Sequence, residues 1–184
     1  MNADEALTKV LALDFHSVLD IGSGGVHANI FRAHGKDVTT INLHDADHVG
    51  DYLKVNLGRF DCLWASHVLE HQRNPGDFLE KCYRDLHHNG ILAITVPPLK
   101  HEIVGGHVTL WNAGLLLYQL ILAGFDCTQA SVKTYGYNIS VIVRKKKAHL
   151  PKLKMDNGDI NAIKRYFPIP VHESFDGRIE EVNW

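Results

Sequence analysis

The chain has few cysteines and no pattern that would pair them. Its 184 residues include three, Cys62, Cys82 and Cys127, an odd number at wide and irregular spacing. A small domain held together by disulfides is excluded, because such frameworks use even numbers of cysteines. We expect the three thiols to be reduced and buried as small apolar groups, which predicts a cytoplasmic protein.

Long apolar runs and a strong net charge are also lacking. No apolar run approaches the roughly 20 residues of a transmembrane helix, and the first twenty residues have no basic segment before an apolar core, so we expect no membrane span and no signal peptide. A formal net charge of -2 excludes a global attraction to nucleic acid or to an anionic membrane. The basic run 144–147 follows an apolar segment, and we interpret it as a solvated strand end.

What the chain does contain is alternating strand and helix signals. Compact apolar runs without alternation predict buried parallel strands at 17–21, 38–43, 60–65 and 91–96. Helical periodicity lies between and around them, at 3–13, 26–34, 75–86 and 112–123. The segments 125–132 and 139–143 flank a turn and predict an antiparallel hairpin. The expected fold is α/β, with a mostly parallel sheet of six or seven strands, a terminal antiparallel hairpin and helices on both faces.

Residues 151–184 differ from the rest in composition. They contain three of the six prolines and little periodicity. Their aromatics, Tyr166, Phe167, Phe175 and Trp184, argue against a disordered tail. We therefore predict that residues 1–150 form the domain, and that residues 151–184 are an extension with a short helix near 159–166. This extension packs on the domain or joins two subunits of a homodimer.

The strongest functional signal is a glycine loop between the first strand and the next helix. Glycines at 22, 24 and 25 let a ligand approach the backbone closely. A nicotinamide-binding loop would place a pyrophosphate here, but the Asp20 carboxylate would oppose it. The carboxylate suits a ligand that offers an ammonium group, hydroxyls and a sulfonium.

Three segments together resemble one family. Residues 18–25, VLDIGSGG, resemble motif I of class I S-adenosylmethionine-dependent methyltransferases of the type 11 and type 23 kind. Residues 60–71 and 86–97 resemble two further segments of that family, in the same order and spacing. The resemblance covers roughly 16–143. It implies a Rossmann-like fold with strand order 3-2-1-4-5-7-6, and S-adenosyl-L-methionine at the carboxyl ends of strands 1, 2 and 4. It also implies a small-molecule acceptor, which we expect to be a hydroxyl of a sugar or secondary metabolite.

The resemblance also implies a set of cofactor-binding residues. They are Asp20, Gly22, Ser23, Gly24, Gly25, Asn42, Asp51, Ser66 and His67. Three features depart from the family. Val26 replaces the third glycine. Asn42 stands where an acid normally binds the ribose hydroxyls, and Asp45 is a possible substitute for that acid. The segment between strands 2 and 4 is short. Asp51 is then the candidate for the adenine amino group. These departures favour, as the alternative, a methyltransferase-fold binding protein without turnover.

The acceptor is expected beside the loop that follows strand 5. There "GH" before an apolar helix resembles sugar and polyketide methyltransferases, which implies that His107 takes the proton of an acceptor hydroxyl. His101 and Glu102 are second choices, and the alternative is that His107 only fixes the loop. His67 and His71 are spaced i, i+4, but HVLEH is not the HExxH of zinc hydrolases, so we expect no metal.

Overall fold

An eight-stranded sheet forms the centre of the computed structural model, which describes residues 3–184. The strands lie in the order β3-β2-β1-β4-β5-β7-β6-β8. Their bounds are β1 Ser17–Ile21, β2 Asp37–Asn42, β3 His48–Val49, β4 Phe60–Ser66, β5 Leu86–Val96, β6 Ser131–Tyr135, β7 Asn138–Arg144 and β8 Glu181–Val182. Strands β1 to β5 pair in parallel, and β7, β6 and β8 pair antiparallel. The predicted fold and strand order are confirmed, and β8 extends the hairpin edge by one short strand.

Helices cover both faces of this sheet. They are α1 Asp4–Leu11, α2 Val26–Ala33, α3 Pro75–Asp85, α4 Ala113–Leu122 and α5 Asp159–Ile163. Local chemistry explains their ends: Pro75 opens α3, and the Asn112 side chain caps α4 by accepting from the Leu115 amide at 2.8 Å. Within residues 3–184 no helix is both long and apolar enough to span a bilayer.

Two apolar clusters fill the space between helices and sheet. On one face, α1 and α2 pack on the sheet around Phe31 and Trp64, whose rings meet edge to face at 5.5 Å. On the other, α3, α4 and the C-terminal residues share one larger cluster that includes Phe78 and Phe125. Parallel strands buried on both faces explain why the sequence shows continuous apolar runs.

Strand β5 is longer than the apolar run that predicted it. Leu86 pairs with Phe60 and Ile91 pairs with Cys62, so the register shifts between them. Residues 87–89 are exposed, and Asn89 has a φ of 62°. These polar, bulged residues give no apolar signal. The sequence alone therefore predicts a helix and a turn up to residue 90, and a strand only from Ile91.

The C-terminal extension packs on the domain of its own chain. Ile163, Phe167 and Ile179 are buried in the larger cluster. β8 pairs with β6, and the Gly114 amide donates to the Gly177 carbonyl at 2.9 Å. The extension therefore closes the edge of the sheet and covers the start of α4.

A buried ion pair ties α3 to the short 3-10 turn Tyr52–Lys54. Lys81 Nζ lies 2.7 Å from Asp85 Oδ2, which also accepts from the Tyr52 hydroxyl at 3.0 Å. All three residues are buried. Removing one partner would leave a charge without compensation in an apolar surrounding, whereas neutralising both would not.

We therefore predict that Lys81→Met lowers the free energy of unfolding by about 3 kcal/mol. The double variant Lys81→Met/Asp85→Asn keeps an acceptor for Tyr52 and is expected to recover most of that loss. Urea unfolding of both variants measures the difference. Equal losses in the single and double variants would show that the charge pair does not govern this contact.

Candidate functional site

Two adjoining cavities open at the carboxyl ends of β1, β2 and β4. The larger has a volume of about 770 Å³ and runs from the end of β2, past the 3-10 turn, to the residues that follow β4. The smaller has a volume of about 240 Å³ and lies against the glycine loop. Gly22 and His67 line both cavities. An elongated ligand with two chemically different ends would fit this arrangement.

The glycine loop bends the chain sharply between β1 and α2. Gly22 has a φ of 73°, its amide donates to the Ile41 carbonyl at 2.8 Å, and a Cβ atom there would collide with Val68. Gly25 has a φ of 83°, and its amide donates to the Ser23 hydroxyl at 3.1 Å. A Cβ atom on Gly24 would meet open space beside the smaller cavity. The first and third glycines are needed for the bend, and the second leaves room for a ligand.

Asp20 is the buried charge of the smaller cavity. Its side chain lines that cavity although the residue is only 2% exposed, and its Oδ2 atom has no hydrogen-bond partner. Burial raises its pKa to about 6, against the opposing effects of the Ser23 hydroxyl and the Ala28 amide. A carboxylate oxygen left in this state favours a ligand that brings a positive charge or several donors.

Of the polar residues predicted for the nucleoside, Asn42 and Asp51 line the larger cavity. The Asn42 amide already donates to the Ser23 carbonyl at 2.9 Å and accepts from the Leu43 amide at 2.8 Å. One hydrogen and one lone pair remain for a ligand. Asp51 caps the 3-10 turn by accepting from the Leu53 amide at 3.0 Å. Asp45 is exposed and lies outside the cavity lining.

The end of β4 carries Ser66 and His67. Both line the smaller cavity, and His67 has a φ of 55°. The His67 ring lies between two oxygens: Nε2 is 2.9 Å from Asn138 Oδ1, and Nδ1 is 3.2 Å from Glu70 Oε1. Burial lowers the pKa of His67, but the Glu70 carboxylate and the Asn138 carbonyl outweigh it and raise the pKa overall. His67 therefore joins β4 to the hairpin as a cationic or donor group.

A third cavity, of about 180 Å³, lies under the loop that follows β5. Its walls are mostly apolar, and Glu102, His107 and Lys100 add polar groups. Lys100 Nζ lies 4.3 Å from the centre of the Tyr137 ring, which also lines this cavity. His101, by contrast, is exposed and lies outside the lining. The structure thus brings His107 and Glu102 to the predicted acceptor side and leaves His101 away from it.

Sequence reasoning missed Glu70 and Asn138. Glu70 is fully buried next to His67, and its signal was a carboxylate inside the HVLEH segment that we assigned only by resemblance. Asn138 reaches the site from the hairpin, 71 positions away from His67. No local pattern could have linked them.

Comparisons with known proteins agree with this geometry. Residues 3–130 match the model of the methyltransferase domain family. No curated protein sequence matches the chain. One similar solved structure is the Burkholderia thailandensis 1,6-didemethyltoxoflavin-N1-methyltransferase with bound 1,6-didemethyltoxoflavin and S-adenosylhomocysteine. It has 18% identity over 78% of each chain and a TM-score of 0.68. A second is the complex between the Haloferax volcanii Trm112 methyltransferase activator and a protein assigned as a methyltransferase, with 15% identity, a TM-score of 0.68, and coverage of 82% of this chain and 90% of that chain.

The [4+2]-cyclase SpnF is also similar, with 22% identity, a TM-score of 0.55, and coverage of 65% of this chain and 57% of that chain. These structural similarities show the fold. The family model spans more than half of the chain. The chain belongs to the methyltransferase domain family, among the class I S-adenosylmethionine-dependent methyltransferases.

Proposed function

We propose that the protein transfers a methyl group from S-adenosylmethionine to a hydroxyl of a small molecule, such as a sugar or secondary metabolite. The observation that carries this function is the buried Asp20 carboxylate, with one oxygen unpartnered, beside a glycine bend. The cofactor fits the residues present. Asp20 and the loop would hold its amino-acid end, and the larger cavity, with Asn42 and Asp51, would hold the nucleoside.

The cofactor, when bound, supplies a methyl group that is electrophilic because its sulfur is positively charged. What remains for the protein is to align the acceptor and exclude water. The third cavity offers apolar walls that an acceptor would cover, and Lys100 and Glu102 can orient its hydroxyls. His107 lines the same cavity and is the candidate to receive or direct the hydroxyl proton.

Asp20→Asn removes the buried charge and is expected to abolish binding of S-adenosylhomocysteine in calorimetry. Asp45 is an exposed acid outside the cavity lining, and Asp45→Asn should bind normally. The Asp20→Asn protein should be more stable than wild type at pH 8, by roughly 2–3 kcal/mol, because its folded state no longer holds a buried carboxylate. A raised folded pKa means that this penalty grows as pH rises from about 4 to 6.

Urea unfolding at pH 8 and pH 4 measures the effect, and the two proteins should differ little at pH 4, where Asp20 is mostly protonated. An Asp20→Asn protein that binds the ligand with wild-type affinity would overturn the assignment of this site. A variant that fails to fold at pH 8 would show that the carboxylate is structural.

Binding should also depend on pH. If the ligand requires ionised Asp20, with a pKa of about 6 before binding, S-adenosylhomocysteine should bind about tenfold more weakly at pH 5 than at pH 8. Near pH 6 the binding should release about half a proton, which calorimetry in two buffers of different ionisation enthalpy detects. An affinity that is constant from pH 5 to pH 8 would contradict an ionised Asp20 in the complex.

The glycine loop offers a matched pair of substitutions. Gly22→Ala places a Cβ atom against Val68 at a positive φ, and should cost roughly 1–3 kcal/mol of stability. Gly24→Ala meets open space without a positive φ and should keep stability within about 0.5 kcal/mol, yet weaken S-adenosylhomocysteine binding by crowding the cavity. Thermal unfolding and calorimetry separate the two effects. If Gly24→Ala binds S-adenosylhomocysteine with unchanged affinity, the ligand does not lie on this side of the loop.

The second candidate function is binding without turnover. The observation in its favour is Asn42, whose amide makes two hydrogen bonds to the backbone and stands where the family resemblance implies an acid for the ribose hydroxyls. Methyl-labelled S-adenosylmethionine and a panel of sugars and phenols distinguish the two. Transfer of label supports the enzyme, and tight binding of S-adenosylhomocysteine with no transfer across the panel supports the second function.

A further inference from the structure

We propose that Glu70, His71 and His107 bind a divalent transition-metal ion of the zinc type. One ligand atom from each residue lies within 4.8 Å of those of the other two. The three side chains come from the 3-10 turn Leu69–His71 and from the loop before α4. They lie at the boundary between two of the cavities, because His71 lines the larger cavity and His107 lines the third.

Glu70 is the observation that points to a cation. The residue is 0% exposed, and neither carboxylate oxygen has a well-aligned hydrogen bond. Oε1 lies 3.2 Å from His67 Nδ1 and 3.8 Å from His71 Nε2, and Oε2 has no such neighbour among the described residues. A buried carboxylate with an unpaired oxygen costs several kcal/mol unless a proton or a cation compensates it.

His71 is held in the tautomer that a metal requires. Its Nδ1 atom lies 2.8 Å from the Gly106 carbonyl, which can only accept, so Nδ1 carries the hydrogen. In the neutral ring, Nε2 then has a free lone pair, and this atom lies 3.8 Å from Glu70 Oε1. A histidine that donates one ring nitrogen to a backbone carbonyl and offers the other to the ion is the usual arrangement at protein metal sites.

His107 is positioned by contacts between its loop and the 3-10 turn Leu69–His71. The amides of Val108 and Thr109 donate to the Glu70 carbonyl at 2.8 and 3.3 Å, which fixes the loop next to the turn. The His107 ring lies 5.1 Å from the His71 ring at an interplanar angle of 79°, so the two rings do not stack face to face. One nitrogen of each ring lies within 4.8 Å of the other and of a Glu70 oxygen.

The donor set identifies the class of ion. In a tetrahedral site with bonds near 2.1 Å, ligand atoms lie about 3.4 Å apart, so the 3.8 Å between Glu70 Oε1 and His71 Nε2, and separations of up to 4.8 Å within the set, would have to contract when the ion binds. Two imidazoles and one carboxylate suit zinc, cobalt, iron or nickel rather than calcium or magnesium, and three protein ligands leave a position open. His67, whose Nδ1 atom lies 3.2 Å from Glu70 Oε1, would help to orient that carboxylate.

The sequence expectation of no metal rested on the order HVLEH. In the HExxH motif, two histidines on one helix supply both nitrogen ligands, and the HVLEH segment does not match it. Here the 3-10 turn contributes Glu70 and His71, and the second imidazole comes from His107, 36 positions later. A spacing rule confined to one helix could not detect this set.

The ion's role rests on the proposed function. An acceptor hydroxyl at the open position would become more acidic and lose its proton to water. Its oxygen would then bond to the methyl carbon while the carbon–sulfur bond breaks, and the electron pair of that bond stays on sulfur. His107 would act through the ion rather than as a free base.

The test uses cobalt(II) chloride and zinc sulfate added to chelator-treated protein. We expect one ion per chain, a visible cobalt absorption of four- or five-coordinate form, and displacement of cobalt by zinc. Glu70→Gln, which keeps the shape of the side chain, should weaken affinity at least tenfold, and His71→Ala and His107→Ala should abolish the absorption. His88→Ala, an exposed histidine elsewhere, should bind like wild type.

Thermal unfolding of each variant checks that it is folded. Absence of a one-to-one complex, or wild-type binding by both His71→Ala and His107→Ala, would refute the site. The same protein is tested for S-adenosylhomocysteine binding without metal. Binding of S-adenosylhomocysteine without binding of metal would refute only the metal site. Binding of metal without binding of S-adenosylhomocysteine would refute only the proposed methyl-transfer function.

Discussion

The buried carboxylate at the end of β1 is the constraint on which the site depends. Asp20 lies in β1, a strand buried on both faces, just before a loop whose positive-φ glycines turn the chain away at once. The bend leaves space at the strand end, and burial keeps water from solvating the charge. The fold therefore maintains a group that is unfavourable when it is ionised and alone, and that a cationic ligand would stabilise.

Buried acids elsewhere in the described chain show what a structural carboxylate looks like. Asp85 has Lys81 and Tyr52 as partners, and Asp159 accepts from the amides of residues 154–156. Asp20 and Glu70 are as deeply buried, yet each keeps at least one oxygen without a hydrogen bond. The satisfied acids hold elements together, whereas the unsatisfied oxygens of Asp20 and Glu70 make these two residues the candidates for contact with a ligand.

Most of the fold could be predicted because its signals are local. Strand β1 was predicted at its observed bounds, since a short apolar run ending in glycine fits few other structures. The polar start of β5 and the two-residue strand β8 could not, because both depend on pairing with distant residues rather than on their own composition. The glycine loop was readable from spacing, but the commitment of the Asn42 amide to Ser23 depends on tertiary contact.

Glu70 shows why the contacts around the turn after β4 could not be predicted from the sequence. The 3-10 turn after β4 places its buried carboxylate between His67, held by the hairpin, and His71, held by the loop before α4. Three separate chain segments thus converge on one charge. A positive group at this point, whether an imidazolium or the proposed metal ion, would hold the proposed cofactor and acceptor sides of the molecule in a fixed relation to each other. Alignment of donor and acceptor in a methyl transfer would then follow from the same charge compensation that keeps the strand ends together.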